Sequence, residues 1–252
     1  FNKKEVKFIL NNEKEPIKTT IKESLSANKL IEEFMLLANK KVANLFIKHK
    51  NGLFRIHDYP DDQKLITLER IIKKLGYKQN LRNPKNINNQ LNLLLKQTQN
   101  SPEKNLIDTL VIRSMSKAKY STKNIGHFGL SFEKYTHFTS PIRRYPDVLV
   151  HRELERILLN NKRNQNLEKL CMHCSSREEI ATKAERASIK FMQVKYMSKN
   201  INKTFEGVIS GITERGIFVE AVENKCEGFI RIKDVPGDYF NFLENEMLLL
   251  GR

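Results

Sequence analysis

Residues 136 to 154, THFTSPIRRYPDVLVHREL, bring a hydroxyl pair, three arginines, two of them adjacent, a tyrosine and two histidines together within a few helical turns. Ser140 followed by Pro141 is a helix-start signal, and the free amides of such a start favour an anion. Arg143 and Arg144 then fall in the first turn. An arginine fork can grip a phosphate through two hydrogen bonds and can stabilise charge building on phosphorus oxygens. The same spacing also allows ordinary ion pairs, because Arg143 and Arg144 precede Asp147 by four and three residues. Tyr145 offers a face on which a base could stack. Phe128, Phe132, Tyr135 and Phe138 lie upstream and are read mainly as core.

Other groups that could do chemistry have plainer readings. His127, His137 and His151 lack convincing ligand spacing and are taken as structural. Asp58, Asp61 and Asp62 form the tightest acidic group, but Pro60 and the periodic run after them give Asp61 and Asp62 a helix-capping role. Cys171, His173 and Cys174 suggest a metal corner. No second ligand pair completes four, so buried ordinary thiols are expected.

These groups need elements to hold them. EVKFIL (5–10) and the turn NNEKEP read as a strand and its turn, followed by a long helix capped by Ser24 or Ser26. Ala27, Leu30, Ile31, Phe34, Ala38, Val42 and Leu45 form that helix's apolar stripe, and the all-round apolar FMLLA predicts that it is internal. Glu32 and Glu33 sit at the edges of the stripe, where a carboxylate is costly unless paired. LFRIH (53–57) predicts a short strand, and PDDQ starts a helix ending near Gly76. Further helices are expected over 87–98 and over 102–117, the latter with Ser101 as cap and Pro102 at its first position. After the loop NIGHFGLSFEKY, helical pattern runs from Pro141 to about Leu159, with Pro146 either a kink or the true start. A last helix is expected from SSREE to about Met197. From Lys203 the texture becomes short alternating runs, FEGVIS, GIFVEAV and GFIRI. They predict about three strands of a small OB-type barrel.

The chain has 252 residues and a formal net charge of +16, which points to a polyanionic partner, nucleic acid above all. A basic surface produced by an AT-rich genome is the plain alternative. The charge is uneven: residues 203–252 sum to −3 and residues 1–202 to +19. No apolar run is long enough to span a membrane and no leader is evident, so a cytoplasmic protein is expected. Three cysteines fit a reducing compartment. The first residue is Phe and the last run stops at Gly251 and Arg252, so a piece of a longer protein is expected.

HFGLSFEKYTHFTSPIRRYPDVLVHREL closely resembles the signature of the ribonuclease II and ribonuclease R (RNB) family, on its ribonuclease R branch. EVKF, SANKLIEEFMLLAN, CSSREEIATKAER and FEGVISGITERGIFVE follow the family's order along nearly the whole chain. The resemblance implies an α+β fold: the mostly helical distal half of an RNB catalytic domain (1–200), then an incomplete OB-type β-barrel (203–252). It implies a processive 3′-to-5′ exoribonuclease that hydrolyses single-stranded RNA to nucleoside 5′-monophosphates. Arg143 matches the catalytic arginine on the scissile phosphate, and Glu32 a carboxylate on the sugar of the terminal nucleotides. Glu185 matches a carboxylate that clamps the 3′-terminal base, with Phe1 as its partner, while Arg144 and Tyr145 are expected to contact RNA. The family binds magnesium through clustered aspartates. This chain has seven aspartates and no such cluster, so the metal ligands are expected elsewhere and the chain is expected to be an inactive half-site. The implied partners are single-stranded RNA and magnesium, with no membrane or other small-molecule cofactor, on a monomer. The rival reading is a non-catalytic RNA-binding protein that keeps the fold.

Overall fold

The computed structural model describes residues 5–22, 25–83, 86–161, 166–243 and 248–251. In chain order its elements are strands β1 (Glu5–Leu10) and β2 (Pro16–Lys22), helix α1 (Ser26–Lys48), strand β3 (Phe54–Ile56), and helices α2 (Asp62–Lys74), α3 (Ile87–Gln97) and α4 (Lys104–Ser114). Strand β4 (Lys119–Ser121), helices α5 (Tyr145–Leu158) and α6 (Leu167–Ser198), and strands β5 (Gly207–Thr213), β6 (Gly216–Ala221), β7 (Glu227–Arg231), β8 (Phe240–Leu243) and β9 (Leu248–Gly251) complete it. The result is the α+β architecture that the sequence implies, about half helical, with small separate sheets and no closed barrel among the described residues. The chain forms two compact units. One combines residues 24–59 with 116–186, the other 1–23, 60–115 and 187–252.

In the first unit the core is Ala43 and Phe46 of α1, Leu53, Phe54 and Ile56 around β3, Tyr120 of β4, Leu149 and Val150 of α5, and Leu167, Cys171 and Cys174 of α6. Strands β3 and β4 pair antiparallel, Arg55 opposite Tyr120. The chain enters β3 across the ring of Phe46 at Gly52, whose φ is +142°. A Cβ there would lie 2.2 Å from that ring, so only glycine fits.

Helix α1 departs from expectation. Its cap is not a serine: Ser26 is the first helical residue, and the Asn28 side chain accepts a hydrogen bond from the Leu25 amide. Ser24 lies outside the described residues. Nor is the helix internal throughout. Asn39, Ala43 and Phe46 are buried, whereas Leu30, Ile31, Phe34 and Leu37 are all at least half exposed. Only the second half of the helix finds a core to pack against, so the stripe read from the sequence outruns it.

The last helix begins at Leu167, eight residues before SSREE. Leu167, Cys171 and Cys174 share its buried face, and the Ser175 hydroxyl donates back to the Cys171 carbonyl, so that serine is an interior residue and not a cap.

In the second unit α2, α3 and α4 bury Leu65, Leu68, Ile72, Leu91, Leu94, Ile107 and Val111. Asp61 caps α2 as expected, accepting from the Lys64 amide. Helix α4 starts two residues later than Pro102, because the Ser101 hydroxyl closes the preceding turn on the Thr98 carbonyl and does not cap. Strand β2, unforeseen behind the lysines of PIKTTIK, pairs with β1 across the expected turn. Strands β5, β6 and β7 are the three strands expected there, paired antiparallel in chain order. The hairpin β8–β9 adds two strands to the three read from the sequence, in runs (FNFL, LLLG) too short to show an alternation.

Candidate functional site

The approach to the arginine pair is anchored on several sides. The Tyr135 carbonyl accepts the Arg55 amide at 2.9 Å, and the fully buried Thr136 hydroxyl donates to the Leu53 carbonyl at 2.8 Å. Asn39 of α1 accepts the Phe138 amide through Oδ1 at 2.9 Å and donates from Nδ2 to the Tyr135 hydroxyl at 3.1 Å. His151 Nε2 donates to the Phe138 carbonyl at 2.9 Å while its ring stacks on that of Phe138 at 4.2 Å.

Beyond this strap the chain turns. The Ser140 carbonyl accepts the amides of Arg143 (3.3 Å) and Arg144 (3.0 Å), and the helix begins at Tyr145 with Pro146 in its first turn. The expected start at Pro141 is therefore corrected: Pro146 marks the true start. The cause is Asp147. Its carboxylate is wholly buried, and one oxygen accepts both the Ser140 amide and the Arg144 guanidinium, each at 2.8 Å, folding residues 140–144 into a separate turn before the helix.

The two arginines thus divide. Arg144 is tied to Asp147, as the ion-pair reading of the sequence foresaw for one of them. Arg143 is exposed, and its guanidinium has only a 3.5 Å approach to the Ser140 hydroxyl among the described residues. Ile142 beside it is fully exposed at 102%, and Tyr145 is 48% exposed.

The electrostatics single out the same group. Arg55 is held bidentately by Glu178 at 2.6 and 3.0 Å and lies over the Tyr120 ring. Burial pushes His137 down to about 3, with Arg144, Arg55, His127 and Arg143 adding repulsion, and its Nδ1 meets the Tyr120 hydroxyl at 2.9 Å. Burial also holds His127 down to about 4, helped by His57 and Arg55, and raises the Tyr120 phenol above its ordinary value. His127 and His137 are therefore neutral at physiological pH and serve as structure. Of the three arginines acting on His137, two have carboxylate partners and Arg143 has none among the described residues. A planar cation on a rigid turn with no internal counter-ion suits a phosphate.

Glu32 and Glu33 are exposed on the uncovered half of α1, and Glu185 is exposed on α6. Among the described residues no hydrogen bond, ion pair or ring contact links Arg143 to Glu32 or Glu185. Phe1 lies outside the described residues. Phe128 and Tyr135 are core, and Phe132 lies under the Lys40 ammonium. No group of three or more His, Cys, Asp or Glu among the described residues is arranged to hold a metal ion. Cys171 and Cys174 are buried and His173 is exposed, so CMHC is no ligand set, and burial lifts the Cys171 thiol to about 12. Among the described residues no helix is long and apolar enough to cross a membrane.

Sequence reading missed Asn39, the Arg55–Glu178 pair and the bond from the Ser140 amide to Asp147, although it named Asp147 as an ion-pair partner. Asn39 had a usable signal: it shares the spacing of Ala43 and Phe46, a polar residue on the buried stripe. Arg55 and Glu178 lie 123 positions apart, and no local pattern joins them.

Residues 1–160 match the RNB domain family and residues 198–248 the S1 RNA binding domain. Ribonuclease R of Aquifex aeolicus is 37% identical over 259 residues, covering 100% of this chain and 36% of its own length. Ribonuclease R of Thermotoga maritima is 36% identical over 98% of this chain and 36% of its own. The solved structure of Mycoplasma genitalium RNase R in complex with ribose methylated single-stranded RNA superposes with a TM-score of 0.88 at 32% identity, covering 100% of this chain and 41% of that one. The chain spans 36% of the length of these two curated relatives.

Proposed function

The chain belongs to the RNB domain family, and from that premise we propose that it supplies the RNA-gripping and arginine-bearing part of a 3′-to-5′ exoribonuclease acting on single-stranded RNA. The observation that carries this reading is Arg143: exposed, without a carboxylate partner among the described residues, and on a turn that Asp147 ties down while Arg144 and Arg55 are neutralised. In that role the Arg143 fork holds the non-bridging oxygens of the scissile phosphate and stabilises the charge that grows there as the ester is cleaved to a nucleoside 5′-monophosphate. Glu32 contacts the sugars of the terminal nucleotides and Glu185 the 3′-terminal base, with Phe1 as its partner. Tyr145 stacks on a base. Arg144 adds positive potential behind Arg143 while holding the turn.

The described residues do not fit a magnesium site, and no step is derived through one. The metal, which would activate water and clamp phosphate oxygens, belongs in this reading to carboxylates outside this sequence, so the chain alone is inactive. Residues 1–200 then act as catalytic-domain substance and residues 203–252 as an RNA-binding S1-type module, on a cytoplasmic monomer.

The test is degradation of a 5′-labelled RNA with a 3′ single-stranded tail in magnesium, comparing this chain with a protein extended to the full length of its ribonuclease R relatives. Activity in the extended protein alone supports the reading. Inactivity of both, with RNA still bound, replaces it with the non-catalytic RNA-binding protein.

A further inference from the structure

We infer that Asn39 is a positioning residue, which sets the placement of the Arg143 turn relative to the helix that carries Glu32. This inference rests on the function proposed above and adds a residue to it.

Asn39 lies on α1, seven positions after Glu32, and is 2% exposed. A buried primary amide is costly unless its groups are satisfied, and this one spends both ends on a single target. Oδ1 accepts the Phe138 amide and Nδ2 donates to the Tyr135 hydroxyl. The assignment is fixed chemically, since a backbone N–H can meet only the oxygen. Phe138 stands five residues before Arg143, and the intervening turn is locked by Ser140 and Asp147. Among the described residues these two bonds are the hydrogen-bonded ties between α1 and residues 135–138. The other anchors of that segment come from Arg55, Leu53, Tyr120 and His151, none of which is on α1. Asn39 is therefore where the helix of the sugar-contacting carboxylate and the segment leading to the phosphate-contacting arginine are held in register. Burial of Ala43 and Phe46 fixes the helix, but apolar packing tolerates sliding that two directed hydrogen bonds do not.

In the full-length enzyme, Asn39→Leu keeps the branched shape and the number of heavy atoms and removes both bonds, while Asn39→Asp keeps both, because the Tyr135 hydroxyl can turn and donate to the second carboxylate oxygen. Misplacing a reacting group by about 1 Å can cost about 10²-fold in rate. The expected result for Asn39→Leu is kcat lower by at least about 10-fold, with KM for a single-stranded RNA within about 2-fold. Asn39→Asp is expected to recover most of that loss. Circular dichroism and melting temperature of both variants establish the folded fraction used for kcat. Wild-type kcat in folded Asn39→Leu overturns the inference, and so does an Asn39→Asp variant as slow as Asn39→Leu. Arg143→Lys run alongside separates the two levels: if it is fully active, the functional reading itself fails. If it is slow while Asn39→Leu is normal, only the positioning role fails.

Discussion

Two buried carboxylates, one in each compact unit, are used in opposite ways. Glu69, on α2, gathers everything within reach: Lys73 at 2.5 Å, the Leu81 amide at 3.2 Å and Arg82 at 3.5 Å. Asp147, on α5, spends one oxygen on the Ser140 amide and on Arg144, and the neighbouring Arg143 has no carboxylate partner among the described residues. The first arrangement consumes its cations to close a fold. The second holds one cation so that another stays available, at a turn whose shape the carboxylate dictates. A paired arginine beside one unpaired among the described residues thus singles out a candidate position, which the overall basic charge does not.

The contrast can be broken experimentally. Asp147→Ala strands the Ser140 amide and the Arg144 guanidinium, and breaking a buried pair from one side should cost about 3 kcal/mol in urea unfolding of this chain. A loss near zero would mean that the backbone alone holds the turn. Arg143→Lys keeps the charge and loses the fork. Turnover of the full-length protein should fall about 10²-fold with RNA affinity within about 3-fold, and normal turnover would sink the assignment of Arg143.

Glu69→Gln tests the other side, with an expected loss of about 1 to 2 kcal/mol at neutral pH and no change in RNA binding. Burial alone would raise the Glu69 carboxyl, but Lys73, the Leu81 amide and Arg82 outweigh it and hold it below the ordinary 4.5. Its contribution is therefore complete above that value and fades as pH falls through the lower folded-state value. Thermal melts at pH 7 and at about pH 3 should differ less in the Gln variant than in the wild type. The smallest effect expected is that of Tyr145→Ala: about 1 kcal/mol, near 5-fold in Kd for single-stranded RNA. No change would assign that exposed ring to another surface.

Much of this was legible in the residues themselves. Asp61 as a cap, the helices over α2 and α3, and the strand LFRIH follow from local rules that tertiary packing did not override. The arginine pair was legible as a phosphate site or as an ion pair, and the structure pairs Arg144 with Asp147 while leaving Arg143 without a carboxylate among the described residues. What could not be read was the choice between them, because it depends on the burial of Asp147. The same holds for α6, where Ser175 looks like a cap until Cys171 and Cys174 are seen to continue the buried face before it. The exposed first half of α1 was misread because an apolar run shows what a helix could bury and not how far the core reaches.

The three cysteines have a use of their own. Cys171 and Cys174 are shut in the core of one unit and Cys226 is 4% exposed in the other, and burial keeps all three as unreactive thiols. A thiol reagent can modify them only when the surrounding structure opens. The rate of modification at each position therefore times the opening of its own unit, without any label being introduced. A mutation in the Arg143 turn that loosened its unit would speed Cys171 and leave Cys226 at its former pace.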